Sequence, residues 1–146
     1  MTISLKVVTP ERIVFEDEVD SITTMTQMGE ITILSNHVPI VATLRSGETT
    51  LRKGGEEYYL ATSTGFLEVR SGNEVVILAD TAERSEELDL EAIEKAKERA
   101  HKMLEEKQHV DDVSFAEAAA MLERELARFK VASKRKYRNI PNQPIK

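Results

Sequence analysis

The sequence predicts an α+β protein, with an N-terminal antiparallel β-sandwich or flattened barrel followed by a C-terminal antiparallel two-helix hairpin. Up to about residue 80, short runs rich in Val, Ile, Thr and Tyr are separated by turn-forming residues, as is typical of antiparallel strands. All six glycines lie in this part. Beyond it, Ala, Glu, Lys and Leu recur with the 3.6-residue period of amphipathic helices. This change of period predicts the fold class.

The N-terminal part contains candidate strands. Each is a short run of β-branched, aromatic or alternating apolar residues bounded by Gly, Pro, Asn or Ser. The predicted strands are Ile3–Val8, Glu18–Met28, Ile31–Leu34, Ile40–Leu44, Glu48–Arg52, Glu56–Thr62, Phe66–Arg70 and Glu74–Asp80. So many strands in so short a segment are expected to close into two layers or a barrel.

Two helices are predicted in the C-terminal part. Asp89 is a favourable N-cap for the first helix. The apolar face of that helix is formed by Leu90, Ile93, Ala96, Ala100, Met103 and Leu104. Residues 108–112 interrupt the pattern, and a capping box from Ser114 to Glu117 predicts the start of the second helix. Because many facing residues are alanines, which bury little apolar area, the helices are expected to pack weakly.

Composition excludes several classes of protein. The net charge of −6 argues against general nucleic-acid binding, and the longest apolar runs are far shorter than the roughly 20 residues of a membrane-spanning helix. The N-terminal segment has no basic stretch followed by a long apolar run, so the sequence predicts no secretory signal. The chain has no Cys, and His37, His101 and His109 lack the spacing of helical metal ligands. We therefore expect no catalytic residues, no metal site and a cytosolic protein.

The C-terminal segment is strongly basic. From Arg124 onward it carries eight basic residues and one acid, Glu125. The side chains expected to contact an acidic surface are Arg124, Arg128, Lys130, Lys134, Arg135 and Lys136. Because no nucleic-acid readout motif accompanies this run, an acidic protein is favoured over DNA or RNA as the partner.

Three arginines allow two interpretations. Arg124 and Arg128 are four residues apart and share one helical face, and Arg99 would lie opposite them in an antiparallel hairpin. This set is either a phosphate-binding grip or a solvated basic face.

The polar stretch from Gly29 to Pro39 also has two interpretations. It is either two hairpin corners or an exposed polar rim that contacts a partner, since loops on a rigid sheet often carry recognition residues. The residues alone favour neither interpretation.

Four motifs follow one another in a specific order. They are Val8-Thr9-Pro10-Glu11, Gly29–Leu34 with His37-Val38-Pro39, Gly65–Val69, and Ile77–Asp80 leading to Ala82-Glu83-Arg84. Each motif alone indicates a protein family only weakly. Their order, together with the change from strands to helices, indicates one family specifically. In this combination the chain resembles the epsilon subunit of the F-type (rotary) ATP synthase over nearly its whole length.

This resemblance implies a ten-stranded sandwich joined to a helical hairpin, in a non-catalytic subunit of the central stalk. The loops with Glu30, Ser35, Asn36 and His37 would face the c-ring, while another surface of the sandwich contacts the gamma subunit. The helices would either fold onto the sandwich or extend along gamma to the beta and alpha subunits. There the basic residues would meet an acidic region of beta and hinder ATP hydrolysis.

The resemblance also implies a division of the chain and a location. Residues 1–84 would form the docking sandwich, residues 85–138 the regulatory hairpin, and residues 139–146 a flexible tail. The protein would bind no cofactor and would not insert into the bilayer. It would lie at the cytoplasmic face of the bacterial plasma membrane or, in a photosynthetic organism, at the stromal side of the thylakoid.

The alternative function is an ATP-sensing module whose hairpin closes on the nucleotide. Some members of the family bind ATP through an Ile/Leu-Asp-x-x-Arg-Ala motif. The matching stretch here is Leu88–Ile93, in which Ala92 replaces the motif Arg. The candidate nucleotide-binding residues are Asp89, Arg99, Arg124 and Arg128, with ATP as a regulatory ligand.

Overall fold

The computed structural model describes residues 1–107 and 111–138, with side chains described up to Lys134. The predicted interruption at 108–110 and the predicted tail at 139–146 lie outside the described residues. The strands are β1 (Ile3–Val8), β2 (Ile13–Val19), β3 (Ser21–Thr26), β4 (Gly29–Leu34), β5 (Ile40–Leu44), β6 (Gly47–Lys53), β7 (Glu56–Thr62), β8 (Gly65–Arg70), β9 (Glu74–Ala79) and β10 (Ala82–Arg84). A 3-10 turn (Ser85–Glu87) leads to helices α1 (Leu90–Lys107) and α2 (Asp112–Arg138). The predicted fold class is confirmed.

The strands form two packed layers. One layer has the order β10-β7-β6-β3-β4 and the other β5-β8-β9-β1-β2, and β3 meets β5 where Thr26 pairs with Leu44. Alternate side chains of both layers point into a shared aliphatic core. Its largest members, each at most 1% exposed, include Leu5, Ile22, Leu51, Leu67 and Ile77.

The structure refines the predicted strands at three points. The predicted strand Glu18–Met28 is the end of β2 followed by β3. The start of β2 was missed although Ile13, Val14 and Phe15 favour strands, because the poor strand formers Glu16 and Asp17 separate them from the predicted start. β10 was missed because it has only three residues. The sandwich is also not wholly antiparallel, since β1 pairs with β9 in parallel. The N-terminal strand lies beside the last long strand, and their order in the sheet does not follow their order in the chain.

The helices begin at aspartates. Asp89 caps α1 as predicted, because its Oδ1 accepts hydrogen bonds from the backbone N–H groups of Glu91 and Ala92 at 3.1 and 3.3 Å. The predicted capping box at Ser114 was wrong. Asp111 caps α2 instead, accepting hydrogen bonds from the backbone N–H of Ser114 at 2.7 Å and from its hydroxyl at 2.9 Å. These bonds lower the pKa of Asp111 and place the helix start about one turn earlier.

Candidate docking surfaces and the hairpin contact

The helical hairpin lies on the outer face of β6 and β7. Along β7, Leu60 points into the sandwich core, whereas the next residue, Ala61, points outward. Ala61 belongs to a second apolar cluster, which we call the hairpin cluster. Its buried members are Ala61, Leu88, Ile93, Val131 and Ala132. Tyr59, Leu90 and Phe129 are partly buried and pack against this cluster.

Among the side chains that the structure describes, three ion pairs join α2 to the sandwich. The guanidinium of Arg128 donates to Glu83 at 3.0 Å, and Nζ of Lys134 donates to Oε1 of Glu48 at 2.7 Å. The third pair has the opposite polarity, since Nε of Arg45 on the sandwich donates to Glu123 of α2 at 2.6 Å. Lys134 also lies 4.6 Å from the ring centroid of Tyr59, which is a cation–π contact.

Arg128 lies between two acids. It contacts Glu83 of β10 and also donates to Oε1 of Glu125, three residues earlier in α2, at 2.8 Å. Its Nε is 2.8 Å from Glu83 but is not aligned for a hydrogen bond. Partial burial disfavours the charged guanidinium, but the hydrogen bond to Glu83 and the charges of both acids raise the pKa of Arg128 overall. Arg128 is therefore a charged side chain shared between two acids.

Glu48 is the most deeply placed acid of the three inter-domain pairs. Its side chain is 11% exposed. Oε1 accepts the bond from Lys134, whereas Oε2 is buried and has no hydrogen-bond donor among the side chains that the structure describes. A buried carboxylate without its cation is costly, so Glu48 depends on Lys134.

The other predicted cations differ in their surroundings. Arg124 is partly exposed and lies 3.8 Å from Glu125, and Lys130 is exposed. The side chains of Arg135 and Lys136 lie outside the described part of the chain. Of the six predicted contact residues, the structure therefore gives two, Arg128 and Lys134, an acid of the sandwich as partner.

The structure does not assemble the predicted nucleotide-binding residues into one site. Asp89 is used as a helix cap, and Arg99 is exposed on α1 with no ion pair to another described residue. Arg124 and Arg128 line a cavity of about 310 Å³ between α2 and the sandwich, but Glu83 and Glu125 already neutralise Arg128. Nucleotide binding by these four residues therefore stays a prediction.

The predicted c-ring residues lie at opposite ends of one strand. Glu30 is exposed near the start of β4, and Ser35, Asn36 and His37 follow its end. Leu34 is four positions along the strand from Glu30, which corresponds to roughly 13 Å. The loop at Ser35–His37 is anchored to the turn that contains Asn73, because the backbone N–H of Asn36 donates to the side chain of Asn73 at 2.5 Å. A partner that contacts both groups must lie along β4.

A row of apolar side chains crosses the outer face of the second layer. Phe66, Leu78 and Ile13 are 56%, 52% and 51% exposed, and Val8 lies between the last two. They are neighbours across β8, β9, β1 and β2, because Phe66 pairs with Leu78, Leu78 with Val8, and Val8 with Ile13. We call these four residues the apolar row. The sequence analysis did not predict the apolar row. Adjacent apolar residues in β8 and β9 were a signal for it, because neighbouring residues of a strand point to opposite faces of the sheet.

The described residues contain neither a group of three or more His, Asp or Glu side chains placed to hold a metal ion nor a helix long and apolar enough to cross a membrane.

Two family descriptions match consecutive parts of the chain. Residues 2–85 match the family described as ATP synthase, Delta/Epsilon chain, beta-sandwich domain, and residues 86–133 match ATP synthase, Delta/Epsilon chain, long alpha-helix domain. The ATP synthase epsilon chain of Dehalococcoides mccartyi is 44% identical, over 92% of this chain and 94% of its own length. That of Desulforamulus reducens is 40% identical, over 88% and 95%.

Solved structures show the same fold. A chain in the structure titled Euglena gracilis mitochondrial ATP synthase, OSCP/F1/c-ring in rotational state 1, aligns with a TM-score of 0.74 and 26% identity, over 92% of this chain and 81% of that chain. A chain of the Tetrahymena thermophila mitochondrial ATP synthase central stalk and c-ring aligns with a TM-score of 0.56 and 14% identity, which shows the fold alone. Together with the sequence matches, this places our chain in the ATP synthase delta/epsilon chain family, alongside relatives that are epsilon chains.

Proposed function

We propose that this chain is a non-catalytic subunit of the central stalk of an F-type ATP synthase. In this role it couples the rotor to the catalytic head and inhibits ATP hydrolysis through C-terminal helices that change position. Membership of the family and the similarity to a chain of the Euglena F1/c-ring structure support a place in the complex. The regulatory part of the proposal rests on the hairpin contact.

The observation that carries the regulatory role is the composition of this contact. Val131 and Ala132 are the α2 residues buried in the hairpin cluster, Phe129 of α2 packs against it partly buried, and ion pairs add to the contact. Burying one Val or Leu side chain contributes about 1.5–3 kcal/mol, and an exposed ion pair about 0–1 kcal/mol. Ordering the hairpin costs conformational entropy that offsets much of this gain. We infer a net docking free energy of a few kcal/mol, which is the range in which a partner can shift a two-state equilibrium.

Separate surfaces would serve separate partners. Glu30 and the Ser35–His37 loop, at the two ends of β4, would contact the c-ring along that edge strand. The apolar row lies on the outer face of the second layer, where the hairpin does not cover it, and would pack against the gamma subunit. Released from the sandwich, the cations of α2 would contact an acidic region of the beta subunit, near alpha. The chain would thus be bound peripherally at the cytoplasmic face of the bacterial membrane, or at the stromal side of a thylakoid, without inserting into it.

The proposed division of labour assigns docking to residues 1–84 and regulation to residues 85–138. The core of the sandwich supports it, because every buried residue of that core lies between Ile3 and Ala82. The role of residues 139–146 stays open, since they lie outside the described residues.

Truncation before Asp89 tests this division. We expect the shortened chain to fold and to assemble with the rest of the stalk, and ATP hydrolysis by the complex to be unchanged or raised. The full-length chain assembled in parallel is the control, and a Leu88→Ser change in the shortened chain keeps the newly uncovered surface soluble. If the truncated chain folds but no longer binds the stalk, the docking role of the sandwich is wrong. If hydrolysis falls, the inhibitory role of the helices is wrong.

A further inference from the structure

The loop between β4 and β5 crosses from one layer of the sandwich to the other and begins with a tight turn. The backbone N–H of His37 donates to the carbonyl oxygen of Leu34 at 3.2 Å, which closes a four-residue β-turn. Asn36, the third residue of this turn, has a φ of 65°, whereas Ser35 before it does not have a positive φ. This combination is that of a type II turn, in which the third position favours Gly or Asn.

Asn73 connects this turn to the second layer. The N–H of the third turn residue takes no part in the bond that closes the turn, and here it donates to Oδ1 of Asn73 at 2.5 Å. Asn73 lies in the turn between β8 and β9, 37 residues further along the chain. Its own carbonyl oxygen accepts a hydrogen bond from the backbone N–H of Ser4 at 2.8 Å. The acceptor for Asn36 is therefore carried by a residue whose backbone is fixed next to the start of β1.

The conformation of Asn73 restricts which residues can hold the turn in this way. Its φ of 59° lies in the left-handed region, which Gly, Asn and Asp adopt at lower cost than other residues. Of these three residue types, Gly has no side-chain acceptor, so Asn or Asp is required. Asn73 is half-buried whereas Asn36 is exposed, so the acceptor is partly shielded from competing water.

The turn presents polar and apolar groups side by side. Nδ1 of His37 lies 2.7 Å from the carbonyl oxygen of Val38 and donates to it, which leaves Nε2 of the neutral ring as an acceptor. Leu34 and Val38, on either side of the turn in the sequence, are 59% and 67% exposed. A partner that packs on these two apolar side chains and donates to the His37 ring needs all three groups in a fixed arrangement. The conformation of the turn sets that arrangement.

We propose that Asn73 is a positioning residue for docking, because its side chain holds the turn from Leu34 to His37 in the conformation that the partner binds. The inference rests on the proposed function for the identity of the partner, which is the c-ring. A loop that is already held in its bound conformation loses little conformational freedom on binding, so it binds more tightly than a mobile loop does.

Two variants separate the side-chain acceptor from the backbone conformation. Asn73→Gly keeps the left-handed backbone accessible but removes the acceptor, whereas Asn73→Asp keeps both. Ser71→Gly is the matched control, because it introduces a glycine at an exposed position of the same turn without changing Asn73.

Hydrogen exchange of the Asn36 amide in the full-length chain reports the hydrogen bond itself. Residue 73 is not a sequence neighbour of Asn36, so the intrinsic exchange rate of this amide is the same in all variants. Loss of one hydrogen bond in Asn73→Gly should raise the observed rate about five-fold. Asn73→Asp and Ser71→Gly should stay within about two-fold of the wild type.

Binding of the full-length chain to two purified preparations, the gamma subunit alone and a detergent-solubilised complex of gamma with the c-ring, tests the docking role. We expect Asn73→Gly to bind the complex with the c-ring about five-fold more weakly than the wild type, and to bind gamma alone with unchanged affinity. Asn73→Asp should restore binding of the complex to within about two-fold. General damage to the sandwich would instead weaken both interactions.

Two outcomes would overturn the proposal. Unchanged exchange of the Asn36 amide in Asn73→Gly would show that the side chain does not hold the turn. Faster exchange with undiminished binding of the complex would show that docking does not need a preorganised turn. Failure of the proposed function is seen in the wild type alone. If the wild type binds gamma as tightly without the c-ring as with it, the c-ring contact is wrong, and the docking role of the turn is wrong with it.

Discussion

Replacement of Val131 by Ala is the sharpest test of how the hairpin is held. Val131 of α2 is completely buried in the hairpin cluster, which also contains Ala61 of β7 and Leu88. The change removes two methyl groups, each worth about 0.8 kcal/mol when buried, and leaves a small cavity. We therefore expect the docked state to lose about 2 kcal/mol relative to a state in which the end of α2 has left the sandwich.

Hydrogen exchange measures this loss directly. About 2 kcal/mol corresponds to a roughly 30-fold larger population of the undocked state. Amide protons whose exchange requires undocking, near the C-terminal end of α2, should exchange faster by that factor. Amides in the sandwich core, for example in β8 and β9, should keep their exchange rates because their opening does not involve Val131.

Leu126→Ala is the matched control. It removes a larger side chain from the same helix, but Leu126 is 48% exposed and lies outside the hairpin cluster. The free energy of undocking, measured by hydrogen exchange, should change by no more than about 0.5 kcal/mol in this variant. Similar effects of the two changes would refute the assignment of docking energy to the cluster. Exchange of α2 and of the sandwich core at one common rate in the wild type would refute a separate undocking step.

Three further changes test local features. Gly65→Ala would place a Cβ 2.0 Å from the carbonyl oxygen of Leu78, so chemical denaturation should show a loss of roughly 3 kcal/mol. Asp111→Ala removes the cap of α2 and should cost about 1 kcal/mol, seen as faster hydrogen exchange in the first turn of that helix. Arg12 donates a hydrogen bond to Glu87, and this bond lowers the pKa of Glu87 although partial burial of the carboxyl acts to raise it. The stabilisation from this pair is therefore complete above the ordinary Glu pKa of 4.5 and is lost as the pH falls through the lowered value. Arg12→Gln should raise the pKa of Glu87 in an NMR titration.

Local sequence signals predicted the strands that are bounded by clear turns. β1, β5 and β7 have the predicted bounds because Thr-Pro, Ser-Gly and Gly-Gly sequences lie next to them. The start of β2 could not be predicted in this way. Its exposed acids are tolerated because β2 is an edge strand whose outward residues face water, and because a tertiary pair with β1 decides its conformation.

Parts of the candidate site could be predicted, but not their partners. The basic character of α2 follows from the sequence alone, and so does the shared helical face of Arg124 and Arg128. The acids that neutralise Arg128 and Lys134 are 45 and 86 residues away in the chain. Pairs at such separations depend on how the helices lie across the sheet, and no periodicity within one element contains that information.

The register of α2 on the sandwich is determined by features other than the two acidic contacts. Arg124 and Arg128, like Lys130 and Lys134, are four residues apart, so a shift of α2 by about one turn would again place a cation opposite Glu83 and Glu48. The same shift would replace Glu123 by Ala119 opposite Arg45.

The shift would also bring Arg128 to the place of Ala132, in the buried hairpin cluster. A guanidinium there would lose its acids and much of its water, at a cost of several kcal/mol. The reversed ion pair Arg45–Glu123 and the small residues Val131 and Ala132 therefore select one register. Glu48 and Glu83 attract the basic face of α2 in either register. This separation suits a helix that must leave and return to a single position.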